Sequence, residues 1–96
     1  MDNRVAVYTG SFDPVTLGHL NVIERGCQLV DQLIIGIGIN VEKEELFSPE
    51  KRLELVQRVT SRWDNVEVRV FRGLAVQFVR ECGARLMIRG IRPLTD

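Results

Sequence analysis

The sequence predicts an α/β fold in which four parallel strands alternate with three helices that cover both faces of the sheet. Three observations carry this. Short apolar runs recur along the 96 residues, each followed by a stretch whose apolar residues keep helical spacing. One run, Leu33-Ile34-Ile35-Gly36-Ile37-Gly38-Ile39, is almost entirely apolar, as a strand covered on both faces must be. Strands joined by helices of this length also have to run parallel through right-handed crossovers.

Val5 to Tyr8 is the first strand, closed by the turn-forming Gly10-Ser11-Phe12-Asp13-Pro14. Leu20, Ile23, Cys27 and Val30 then recur at helical spacing, giving a helix from about Leu17 to Val30. The Leu33–Ile39 strand follows; its glycines have no side chain to pack, which predicts a close neighbour over the backbone. Asn40 to Phe47 is a polar connection. Ser48-Pro49-Glu50 supplies an N-cap, a first-turn proline and an acid near the positive end of the helix dipole. Leu53, Val56, Val59 and Trp63 form that second helix's apolar stripe. Val66, Val68 and Val70 alternate with Glu67 and Arg69 in a half-exposed strand ending at Phe71. Ala75, Phe78, Val79 and Cys82 mark a third helix stopped by Gly83, and Leu86-Met87-Ile88 is a short fourth strand. The order βαβαβαβ is that of a Rossmann-like parallel sheet with helices on both faces.

A chain of this length forms one small domain, 1–96, which buries about 60–65% of its unfolded surface. Thirteen basic and thirteen acidic residues cancel, so no global field draws it to nucleic acid or to a membrane surface. Arginine is nonetheless concentrated late in the chain, at Arg80, Arg85, Arg89 and Arg92. Cys27 and Cys82 sit in apolar helical patterns without metal-ligand spacing and read as small buried hydrophobes in a reducing compartment. Met1-Asp2-Asn3-Arg4 is no signal-peptide start and no apolar run is long enough to span a bilayer, so a cytoplasmic location is expected.

In a sheet of this kind ligands collect at the carboxyl ends of the strands. That rim would gather residues 9–19, 40–47, 72–75 and 89–93, which are also rich in glycine, hydroxyl and cationic groups. The first segment carries the most chemistry. Tyr8-Thr9-Gly10-Ser11-Phe12-Asp13-Pro14-Val15-Thr16-Leu17-Gly18-His19 takes a strand through a glycine-containing loop to a helix N-terminus, a place where backbone N–H groups and the dipole favour an anion. Thr16 can cap the helix, Gly18 leaves room for a ligand, and His19, the only histidine, stands in the first turn. The segment is neither a Gly-x4-Gly-Lys-Ser/Thr loop nor a Gly-x-Gly-x2-Gly loop. Asp13 reads as a turn-former before Pro14 rather than a metal ligand. Arg89 leaves an apolar strand directly onto the rim, a costly place for a cation unless an anion meets it.

Gly10-Ser11-Phe12-Asp13-Pro14 followed by Thr16-x-Gly18-His19 resembles the His/Thr-x-Gly-His nucleotidyltransferase superfamily. Within it, Ile88-Arg89-Gly90-Ile91-Arg92 is similar to the arginine motif of the phosphopantetheine adenylyltransferases, and Lys43, Phe47 and Gly73-Leu74 fall where that family has them. The resemblance spans the whole chain and about the first three-fifths of the family's length. A fifth strand and an Ile-Ser-Ser segment that binds ATP belong to the part beyond it. Thr9 departs from the family's usual proline, and Ala75 from a larger apolar residue.

The resemblance implies adenylyl transfer from ATP to 4′-phosphopantetheine, giving dephospho-coenzyme A and pyrophosphate by direct in-line attack. It implies His19 as transition-state stabiliser. Ser11, Lys43, Ala75 and Arg89 would bind the pantetheine substrate, and Ser11, Phe12, His19, Gly90, Ile91 and Arg92 would bind ATP. Mg²⁺ would bridge triphosphate oxygens with few protein ligands, and the family's assembly is a hexamer. Two other readings stay open: a related nucleotidyltransferase with another phosphate acceptor, and a module that binds a nucleotide or a partner without turnover.

Overall fold

The computed structural model describes residues 3–40 and 44–88. The chain runs β1 (Val5–Gly10), α1 (Leu17–Leu29), β2 (Gln32–Ile39), α2 (Pro49–Thr60), β3 (Val66–Arg72), α3 (Ala75–Glu81) and β4 (Leu86–Ile88). The local signals set the ends. Ser48 Oγ accepts from Lys51 N at 3.1 Å and Pro49 opens α2. After α3, Gly83 takes φ +70°, its N donates to Arg80 O at 3.0 Å, and Ala84 N donates to Val79 O at 3.2 Å. Those are the two bonds of a Schellman ending, whose left-handed residue is glycine because it has no Cβ to clash.

All described strands are parallel and lie in the order β3-β2-β1-β4. The steps from β1 to β2 to β3 go one way, so right-handed crossovers put α1 and α2 on one face. The return from β3 past β2 and β1 to β4 puts α3 on the other. Alternate strand residues therefore feed two cores. Ala6, Tyr8, Leu33, Ile35 and Ile37 pack with Ile23 and Cys27 of α1 and Val56 of α2. Val7 and Ile34 pack with Phe78 and Val79 of α3. The chain reverses its direction of travel across the sheet at β1, which has β2 on one side and β4 on the other. That switch point, where Tyr8 pairs with Ile88, is where such sheets open a crevice for ligands.

The buried face of α2 differs from the expected one. The helix ends at Thr60, and Trp63 follows in a turn, its N donating to Thr60 O at 3.0 Å, while its ring still packs on the core. The fully buried positions of α2 are Arg52, Val56 and Thr60, one helical turn apart on a single face.

The neighbour over the β2 glycines is protein. Phe71 and Phe78 stack with ring centroids 4.4 Å apart and planes 12° from parallel. A Cβ on Gly36 would stand 2.5 Å from Phe78 Cε2, and one on Gly38 would stand 3.1 Å from Phe71 Cζ. The glycines are the floor under an aromatic pair.

Cys27 and Cys82 are free thiols, Cys27 buried and Cys82 half-buried. Burial pushes both thiols up; at Cys82 the Arg69 guanidinium pulls the other way. The thiolate is the reactive form, so a thiol reagent at neutral pH is expected to label Cys27 at least about tenfold more slowly in the folded chain than in urea. Equal rates, read by mass spectrometry, would show that this face of α1 opens freely.

Candidate functional site

The loop after β1 is built around Phe12. This residue is 1% exposed and takes φ +48°, a left-handed conformation that costs a non-glycine residue about 1–2 kcal/mol. Burying the ring contributes about 1.5–3 kcal/mol and offsets that strain. The ring meets Tyr8 edge-on, with centroids 5.3 Å apart, and lies 4.7 Å from the His19 ring. A Cβ on Gly10 would come within 3.1 Å of Phe12 Cε2, so the strand's last residue is glycine because the ring folds back over it. Phe12 is thus a plug, its ring closed off from solvent. Ser11, directly before it, is exposed on the rim.

Thr16 caps α1 in extended conformation, φ −121° and ψ 171°. Its Oγ1 accepts from His19 N at 3.3 Å, and its N–H donates to His19 Nδ1 at 3.0 Å. This is a capping box in which imidazole replaces the usual Glu or Gln. A backbone N–H can only donate, so Nδ1 accepts and the ring proton of neutral His19 sits on Nε2. The corner therefore fixes a half-buried imidazole in one tautomer. Gly18 is exposed, and among the described residues a Cβ there would meet Thr16 Oγ1 at an ordinary 3.6 Å. Packing among the described residues does not require glycine at this position.

Beside the loop, Ser11, Asp13, Gly38, Glu44, Glu45 and Arg52 line a hollow of about 240 Å³. Asp13 does more than turn the chain. Its carboxylate accepts from Leu46 N at 2.7 Å and Phe47 N at 2.8 Å, and the peptide to Pro14 is cis. Arg52 is the residue that sequence reasoning missed. Its side chain is 1% exposed, its Nη1 donates to Ser11 O at 2.9 Å and reaches Gly38 O at 3.5 Å, and its Nη2 lies 2.9 Å from Glu45 Oε1. That last approach is an ion pair without hydrogen-bond alignment; Nη2 and Nε are buried without an aligned acceptor among the described residues. The available signal was spacing: Arg52 falls one turn before Val56 and two before Thr60, on the buried face.

The structure thus brings Ser11 and Asp13 together at the hollow, and Phe12 and His19 together in ring contact. Ala75 opens α3 after Gly73 at φ +89°, on the same rim at the end of β3. It is half-buried and is not among the described residues lining the hollow. Lys43, Arg89, Gly90, Ile91 and Arg92 lie outside the described residues. No helix among the described residues is long and apolar enough to cross a membrane.

Residues 7–96, which hold this parallel sheet and the strand-to-helix corner at its switch point, match the cytidylyltransferase-like family. The chain belongs to that family. Over 96 residues it is 60% identical to the phosphopantetheine adenylyltransferase of Rhodopirellula baltica, covering 100% of this chain and 54% of that one. It is 47% identical over 93 residues to the phosphopantetheine adenylyltransferase of Clostridium beijerinckii, covering 97% of this chain and 58% of that one. The chain therefore spans a little over half the length of these relatives. The crystal structure of a lipopolysaccharide core biosynthesis protein from Thermoplasma volcanium shares the fold, with a TM-score of 0.73 and 21% identity over 99% of this chain and 80% of that one.

Proposed function

We propose that this rim takes part in adenylyl transfer from ATP to 4′-phosphopantetheine, giving dephospho-coenzyme A and pyrophosphate. What carries the reading is the His19 corner, occurring in a chain 60% identical along its whole length to a phosphopantetheine adenylyltransferase. An oxygen of the acceptor phosphate attacks the α-phosphorus of ATP, and the bond from that phosphorus to the oxygen bridging the α- and β-phosphates breaks. The electron pair leaves on pyrophosphate. The nucleophile is already anionic, so no strong base is needed. The barrier lies in bringing two anions together and in stabilising charge on the α-phosphate oxygens, which makes catalysis positioning plus electrostatics.

In this reading neutral His19 presents Nε2–H as a donor to the α-phosphate. Its Nδ1 is held by Thr16, so the donor is aligned before substrate arrives. Ser11, Lys43 and Arg89 receive the acceptor phosphate, Ala75 lies along the pantetheine arm, and Ser11, Phe12, Gly90, Ile91 and Arg92 flank ATP with His19. Among the described residues no group of three or more His, Cys, Asp or Glu is placed to hold a metal ion. Magnesium would arrive on the triphosphate oxygens, where it supplies charge neutralisation. A cytoplasmic homo-oligomer, hexameric as in the family, belongs to the same proposal.

Pyrophosphate release from ATP, measured with and without 4′-phosphopantetheine, tests the reading. Release that requires the acceptor is expected. ATP binding without release would favour a nucleotide-binding module, and release with nicotinate mononucleotide or glycerol phosphate instead would favour a different acceptor. Lys43→Ala is expected to weaken 4′-phosphopantetheine binding by about tenfold, one lost charge-assisted contact, and pantetheine binding little. Equal losses in calorimetric titrations would show that Lys43 does not read the phosphate.

A further inference from the structure

Arg52 is the one fully buried charged side chain among the described residues. A guanidinium taken from water is costly unless its geometry is well used, and α2's own packing does not call for one, since the next position on that face is Val56. Its contacts explain it. One side chain grips the loop after β1 through Ser11 O, the end of β2 through Gly38 O, and the segment before α2 through Glu45. Asp13 makes the reciprocal grip, from the β1 loop to the backbone N–H groups of Leu46 and Phe47. The two segments are thus tied in both directions, once by a cation from α2 and once by an anion from the loop.

We propose that Arg52 and Asp13 form a two-way clasp of positioning residues that holds the Ser11 loop against residues 44–47, and so fixes where Ser11 meets the acceptor phosphate. This rests on the reading that the rim binds a phosphate acceptor. The clasp also answers an electrostatic difficulty. Asp13, Glu44 and Glu45 all line the hollow beside Ser11, and three carboxylates would repel a phosphate. Two are already engaged: Asp13 by backbone N–H groups and Glu45 by Arg52. Arginine suits the position because a planar fork can hold several acceptors at fixed angles, which an ammonium cannot.

Arg52→Met, Arg52→Lys and Glu45→Ala test the clasp, by amide hydrogen exchange in the ligand-free chain and by calorimetric titration with 4′-phosphopantetheine and pantetheine. Arg52→Met is expected to speed exchange at Leu46 and Phe47 by about tenfold while Ile34 and Ile35 in β2 stay protected. It should weaken 4′-phosphopantetheine binding by about tenfold and pantetheine binding little. Arg52→Lys keeps the charge without the fork and is expected to recover less than half of either loss on a logarithmic scale. Unchanged exchange at Leu46 and Phe47 would overturn the clasp, and equal weakening of both ligands would reduce Arg52 to a structural residue. If Arg52→Met fails to fold, Glu45→Ala decides, since it removes a half-open partner and should still speed exchange at Leu46 and Phe47 several-fold. A parent chain that binds neither ligand overturns the proposed function, and the exchange data then judge the clasp alone.

Discussion

Replacing His19 with alanine is expected to lower turnover of ATP and 4′-phosphopantetheine by about 10²–10³-fold, the usual loss when one preorganised donor to a developing oxyanion is removed. ATP binding should change little, because a donor aimed at charge that appears in the transition state adds little to the ground state. The geometry behind this is specific: Thr16 N–H holds Nδ1 at 3.0 Å, and the ring lies 4.7 Å from Phe12, so one nitrogen is committed to the protein and the tautomer is set. Alanine also removes half of the capping box, worth on the order of 1 kcal/mol to the start of α1. The thermal midpoint must therefore be recorded beside the kinetics. Thr16→Ala serves as the comparison, since it loses the Oγ1 contacts to His19 N at 3.3 Å and to Nδ1 at 3.1 Å but keeps the backbone bond to Nδ1. A fall in kcat at constant KM for ATP, well beyond that of Thr16→Ala, is the expected pattern. Unchanged turnover in His19→Ala would remove the histidine from the reaction.

Much of this fold was legible because its signals are local or periodic. Ser48 and Pro49 announce the start of α2, Gly83 the end of α3, and the apolar Leu33–Ile39 run a strand covered on both faces. The His19 corner was legible for the same reason: cap, glycine and imidazole fall within four residues. What stayed hidden is what depends on partners far along the chain. Arg52 reads as one more charge in Glu50-Lys51-Arg52, and only the fold brings Ser11 O, 41 residues away, to its guanidinium. Asp13 likewise meets Leu46 and Phe47 only once two loops share the rim. Trp63 looked like the last member of a helical stripe because its spacing fits; the helix ends first, and the ring reaches the same core from a turn. Periodicity reports which face a residue lies on and says nothing of what waits there.

The largest stability effect is expected at Phe78. Phe78→Ala should cost about 3–5 kcal/mol, as truncation of a buried aromatic does, against a total of roughly 5–15 kcal/mol for a small domain. The ring is 7% exposed, stacks on Phe71 and roofs Gly36. Gly36→Ala alone should also destabilise, by about 1–3 kcal/mol, because its Cβ would stand 2.5 Å from Phe78 Cε2 and that ring is braced by Phe71. Together the two changes should cost less than their sum. The alanine methyl enters space that the ring has vacated, and the smaller conformational freedom of alanine in the unfolded chain, worth about 0.4–1 kcal/mol, then counts in its favour. In the Phe78→Ala background, Gly36→Ala should become neutral or stabilising, a coupling of about 1–3 kcal/mol readable from urea midpoints in a double-mutant cycle. Strictly additive costs would mean that the Phe78 ring is not what keeps a side chain off position 36, and the two glycines of β2 would then need another occupant above them.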